Sequence, residues 1–149
     1  MNCYSTRIKF RQSGIKRTIL IFIVSMFFSI NPLKAQENSE IIYKDWLFVA
    51  ESPNHVDVSA RVVKCSEATA NQVQIFIFNE GSERSDIRFT INISDVESGK
   101  SFNTEINHTV VRAEMVRAIC DNDEKLKGLK INLPKEYNPN NIVISIDFK

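Results

Sequence analysis

Apolar and polar residues alternate with a period of two through most of the chain beyond residue 55. In IRFTINIS, residues 87–94, Ile87, Phe89, Ile91 and Ile93 fall on one face and Arg88, Thr90, Asn92 and Ser94 on the other, the pattern of a half-buried strand. NIVISIDFK repeats it with Ile142, Ile144, Ile146 and Phe148 inward, and VDVSARVV with Val56, Val58, Ala60 and Val62. VQIFIF, residues 73–78, is apolar on both faces and reads as a central strand. DWLFVA, SFNTEI and LKINL complete the set. Turn signals separate these runs: SPN at 52–54, NEGSERSD at 79–86, ESGK at 97–100, DNDEKLKG at 121–128 and LPKEYNPNN at 133–141. Seven or eight short strands, with no repeat, long helix or Gly-rich loop, predict an all-β antiparallel sandwich.

One segment fits two patterns. VVRAEMVRAIC, residues 110–120, alternates poorly and holds good helix formers, with Val111, Met115 and Ala118 or Ile119 as a helical stripe. A strand is the favoured reading, because it would carry Cys120 back beside the strand that ends near Cys65.

The first 35 residues follow a different rule. An apolar run over residues 19–30 would cover about 18 Å as a helix, short of the roughly 30 Å of a bilayer core. Arg7, Lys9, Arg11, Lys16 and Arg17 precede it; Pro32 and small Ala35 follow, then polar QENSE. This order predicts a secretory signal peptide cleaved near Ala35, with an uncleaved N-terminal anchor as the alternative. The expected organisation is a leader over residues 1–35, a short linker over 36–42 and one domain over 43–149. The expected address is secreted or periplasmic, with no stable membrane span after cleavage.

Removing that leader changes the charge. The whole chain is formally +1, but six of its bases and none of its acids precede Gln36, so the rest carries 13 bases against 18 acids, net −5. The bases are scattered among acids, which argues against a nucleic-acid surface. Two cysteines remain, Cys65 and Cys120. In an oxidising compartment an even count predicts their pairing, the alternative being two separate buried thiols. A bridge closing about 56 residues would contribute roughly 4 kcal/mol by loop entropy.

A family resemblance rests on QIFIFNEGSERSDIRFTINI, residues 74–93: a strand ending in Asn79, a short polar link, then a clean alternating strand. This resembles the central part of the immunoglobulin-like and fibronectin-III-like domains of secreted bacterial proteins. Over residues 43–149 the resemblance implies an immunoglobulin-like β-sandwich. Trp46 departs from it by preceding Cys65, where antibody-type domains keep their core Trp between the two cysteines. Tyr137 departs by running into NPNN rather than into a strand.

Candidate chemistry is sparse. The chain holds no G-x-S-x-G, H-E-x-x-H, C-x-x-C or P-loop, and His55 and His108 read as surface or edge residues. The carboxylates of Asp121, Asp123 and Glu124 offer oxygen donors of the kind calcium takes, but without the glycine and distal glutamate of an EF-hand loop they read as a solvated turn. Asn92 and Asn107 each head an N-x-S/T triplet. Tyr43, Trp46 and Phe48 form the densest aromatic cluster, expected to cap one end of the core, with a binding patch as the alternative. No cofactor, metal or catalysis is expected. The leading expectation is an exported, non-enzymatic module acting through protein contacts, as an envelope accessory or adhesin-type domain. The alternative is a small-ligand or carbohydrate binder using Trp46.

Overall fold

The computed structural model describes residues 40–121 and 123–149. The expected leader, residues 1–35, and residues 36–39 of the expected linker lie outside them. Among the described residues there are eight strands: β1 (Ile41–Glu51), β2 (Val56–Lys64), β3 (Asn71–Asn79), β4 (Ser85–Asp95), β5 (Ser101–Val110), β6 (Met115–Arg117), β7 (Lys130–Asn132) and β8 (Ile142–Phe148). Ile41 and Ile42, read as linker from the sequence, already pair in β1 with Lys64 and Val63.

Every pairing is antiparallel and the strands form two sheets. The first runs β1-β2-β3, and two short strands share the far edge of β3: β6 against Phe76 to Phe78, β7 against Gln72 to Gln74. The second runs β5-β4-β8. The chain is therefore the all-β antiparallel sandwich that its alternation predicts. The strand order has its own character. A constant-type immunoglobulin domain sends its third strand to the second sheet, whereas β3 here pairs with β2 and completes a three-stranded meander.

The core forms where the inward faces meet. Val56, Val58, Ala60 and Val62 of β2, Val73, Ile75 and Ile77 of β3, and Ile87, Phe89, Ile91 and Ile93 of β4 are all buried. Burying each such aliphatic or aromatic side chain is worth about 1.5–3 kcal/mol. On β8 only Ile142 is fully buried; Ile144, Ile146 and Phe148 pack against the core while keeping some exposure. Its position at a sheet edge, with β4 on one side only, explains the difference.

Two polar side chains pin the loops around this core. Asn79, at the end of β3, is fully buried. Its Nδ2 donates to the carbonyls of Glu83, Val110 and Val111, and its Oδ1 accepts from the Gly81 amide. Gly81 is required beside it, since a Cβ there would lie 2.9 Å from the Asn54 carbonyl oxygen. Asp95, buried at the end of β4, accepts from the amides of Glu97 and Asn138 and from the Ser98 hydroxyl. Burial pushes its pKa up, but these hydrogen bonds outweigh it and hold the carboxyl below its ordinary value.

Segment 110–120 is neither a full strand nor a helix. Val110 ends β5, residues 111–114 form a turn with Ala113 at φ 55°, and beyond it only Met115–Arg117 is strand. Its backbone groups are claimed by β3: the Ala113 amide donates to Asn79 O, Glu114 O accepts from the Asn79 amide, and the Ala118 amide donates to Ile75 O. Tertiary pairing with an open edge of β3 outweighs the few tenths of a kcal/mol per residue of helix propensity.

Candidate functional site

Each sheet turns one face to the core and the other away from it, and the two outward faces differ in chemistry. On β4, β5 and β8 the outward positions are mostly polar, Arg88, Thr90, Asn92, Glu105, Asn107 and Asp147 among them, with Val143 the apolar exception at the β8 end. Most of them pair with a neighbour. Glu105 accepts from Arg88 Nε and from Lys149 Nζ, and Asn92 donates to Asp147 at 2.7 Å. The hydrogen bond from Arg88, then that from Lys149, pulls the Glu105 pKa down to about 2. Both N-x-S/T asparagines, Asn92 and Asn107, stand on this face.

The outward face of the first sheet is aromatic. Directly opposite residues in paired strands share a face. Phe48 lies opposite Ser59, Ser59 opposite Phe76, and Phe76 opposite Arg117; in the next row Phe78 lies opposite Met115. Phe48 is 63% exposed and Met115 68%. Small Ser59 leaves a shallow place between the two phenylalanines of its row.

Trp46 stands over the same surface. Its ring meets Phe76 edge-on, with centroids 5.9 Å apart. The guanidinium carbons of Arg61 and Arg117 lie 4.9 and 5.5 Å from its centroid, both within cation–π range. Its indole N–H is buried, and no acceptor among the described residues reaches it.

Arg61 is the buried charge of the surface, only 5% exposed. Its Nη2 pairs with Glu40 Oε1 at 2.6 Å. Burial lowers its pKa and the Glu40 carboxylate opposes that shift. A guanidinium starts so high that the charge persists at neutral pH. Gln74, fully buried, completes the arrangement: its Oε1 accepts from Arg61 Nε and Nη2, and its Nε2 lies 3.4 Å from each sulfur of the Cys65–Cys120 disulfide. That bridge sits at the surface. It lines a polar cleft of about 380 Å³ together with Ser66, Thr69, Asp121 and Lys130.

The sequence-level cluster of Tyr43, Trp46 and Phe48 is divided by the structure. Tyr43 packs against the hydrophobic core, Trp46 lies on the outward face, and Phe48 is exposed. The expectation that Trp46 caps the core is thus corrected. β1 is also irregular there: Lys44 lies opposite Val62 and Leu47 opposite Ala60, so three residues of β1 span two of β2.

β1 and β8 are the edge strands on one side of the sandwich. Lys44 Nζ donates to the Ile142 carbonyl across the gap, and a groove of about 290 Å³ runs beside it, lined by Leu47, Val49 and Val143 among others. Leu47 and Val143 are 59% and 52% exposed.

Most of the remaining candidates have a local partner. His55 has its Nδ1 2.8 Å from Glu51, and His108 lies in β5 opposite Ile87. Asp121 is engaged by Lys130 at 2.7 Å, Asp123 accepts from the Lys125 amide and caps a 3₁₀ turn (Glu124–Leu129), and Glu124 lies 3.7 Å from Lys127.

Arg61, Gln74, Phe76, Phe78, Met115 and Arg117 escaped sequence reading as site residues. One signal was present: VQIFIF is apolar on both faces, and its outward Phe76 serves the aromatic surface rather than a second buried layer. No protein-family model matches this chain, and neither a curated protein nor a solved structure matches it.

Proposed function

We propose that this protein is an exported, non-catalytic β-sandwich that works through protein contacts, as an accessory or adhesin-type module of the cell envelope, and that the outward face of the β1-β2-β3 sheet is its contact surface. The observation that carries the reading is the contrast between the two outward faces. One is mostly polar, with several of its side chains paired to one another. The other presents Trp46, Phe48, Phe76, Phe78 and Met115 with the exposed guanidinium of Arg117. Trp, Phe, Met and Arg are the residue types enriched where proteins meet, and an apolar patch on a solvent face costs solubility unless it is used. The free edge of β1 beside it offers a strand-pairing partner a place to begin. Export is supported by the basic-apolar-small order of residues 1–35 and by the surface disulfide. Among the described residues no helix is long and apolar enough to cross a membrane. Sugar stacking needs an open indole face, and the two guanidiniums over Trp46 leave less of it free, so protein contact is the better-supported reading.

The test is cross-linked capture of the native protein from its own envelope and medium fractions, run in parallel with Phe48→Asp and Met115→Asp. Both positions are exposed, so the variants should fold normally. A stoichiometric partner held by the natural chain and lost with both variants supports the reading. A partner retained by both places the contact elsewhere.

A further inference from the structure

We infer that the Cys65–Cys120 disulfide is a redox-operated clamp on the aromatic surface: its reduction frees Arg117 from Trp46 and disassembles that surface while the sandwich stays folded. The inference concerns regulation of the surface proposed above and rests on that reading for its biological meaning.

Three observations lead there. The bridge lies outside the core: Cys65 directly follows the last residue of β2, and Cys120 comes three residues after β6. It is also reachable, because Cys120 is exposed and both cysteines line an open cleft of about 380 Å³. Finally, it is wired to the surface. Gln74 offers its amide nitrogen to both sulfurs and its oxygen to Arg61, and Arg61 lies over Trp46 beside Arg117. The element carrying Arg117 is short, and Val116 and Ala118 hold its other face in the core. β6 pairs over three residues only, extended by the Ala118 amide to Ile75 O, and the disulfide is the covalent tie beyond it.

The chemistry balances with a thiol as reductant. A thiolate attacks one sulfur of the bridge, forming a mixed disulfide and expelling the other cysteine as thiolate, which takes up a proton. A second thiol resolves the mixed disulfide, so two electrons and two protons pass from the reductant to Cys65 and Cys120, and the reductant leaves oxidised as its own disulfide. The product differs from the bridge in hydrogen bonding. Glu40 Oε1 lies 2.6 Å from Arg61 Nη2 and 3.3 Å from Cys120 Sγ. A disulfide sulfur has no hydrogen to give, so Glu40 is committed to Arg61. A Cys120 thiol adds a weak donor to that same oxygen as the tether on Arg117 is lost.

The experiment uses the full chain as purified, with dithiothreitol as reductant, read by free-thiol counting, Trp46 fluorescence and amide exchange followed by mass spectrometry. Two thiols should appear together with a red shift of the single tryptophan and about a tenfold rise in exchange at Met115–Arg117. Residues 89–93 in β4 should keep their protection. Cys65→Ser/Cys120→Ser should reproduce the reduced state without reductant, and Arg117→Ala should reproduce the fluorescence shift with the bridge intact. Two outcomes overturn the inference: thiols released with emission and β6 exchange unchanged, or protection lost throughout the sandwich. None of the three readouts involves a partner, so failure here is distinguishable from failure of the contact-surface reading.

Discussion

Arg61 and Gln74 form a two-point hydrogen-bonded pair on the outward face of the first sheet, Arg61 Nε and Nη2 donating to one Gln74 oxygen at 2.9 and 2.7 Å. Both side chains are buried, so the pair answers a desolvation cost rather than decorating a wet surface. Gln74→Leu keeps the volume but leaves Arg61 with fewer acceptors, and we expect it to destabilise the fold by about 1–3 kcal/mol in urea unfolding. Arg61→Met/Gln74→Leu removes both ends of the demand and should cost clearly less than the sum of the two single changes. Additive costs would show that the pair is not coupled.

Asn79 carries the largest share of loop fixation of any single side chain. Its three donated hydrogen bonds tie the β3–β4 loop to the end of β5. Asn79→Ala should cost about 3 kcal/mol or more, because it strands carbonyls away from water as well as opening space. Asn79→Asp should be worse at pH 7, since it sets a negative oxygen where three carbonyl oxygens now receive a donor. Thermal melts of the two variants at pH 7 check the order.

The outward face of the second sheet titrates with acid. The Arg88 and Lys149 hydrogen bonds depress the folded-state pKa of Glu105 from 4.5 to about 2. A depressed carboxyl contributes stability that is fully present above its unfolded value and is lost as pH falls toward its folded value. The melting-temperature gap between the natural chain and Glu105→Gln should therefore hold above about pH 4.5 and close by pH 2. It should also shrink in high salt, because the groups are solvent-accessible. A gap independent of pH over that range would mean that the carboxylate charge does not matter.

Asp57 behaves in the opposite sense. It lies directly opposite Glu51, and burial first, then the Glu51 charge, raises its pKa, with His55 partly offsetting them. Ionised Asp57 is thus a cost, relieved as pH falls through its raised folded value. Asp57→Asn should stabilise the protein at pH 7 by about 0.2–1 kcal/mol, the range for a cross-strand like-charge pair. The gain should vanish by pH 3, when the natural residue is itself neutral. Melting curves at the two pH values decide it.

The sequence by itself determined the strands that have one wet and one dry face. Ile87, Phe89, Ile91 and Ile93 could be assigned inward, and Val56, Val58, Ala60 and Val62 likewise, because a period of two leaves a residue only two directions and burial chooses between them. The same argument fixed the class as an antiparallel sandwich. Tertiary structure decided where that rule lapses. An odd spacing already sets Tyr43 apart from Trp46 and Phe48, but which face each takes depends on the bulged register with β2, which no local pattern encodes. The open edge of β3 converts part of a helix-capable segment into β6 and so brings Arg117 over Trp46. Gln74 and Arg61, polar residues that the alternation places outward, become buried because aromatic and disulfide groups distant in sequence close over them. Local periodicity reports which face a residue takes, whereas a site made of cross-strand neighbours exists only once the sheets have chosen their order.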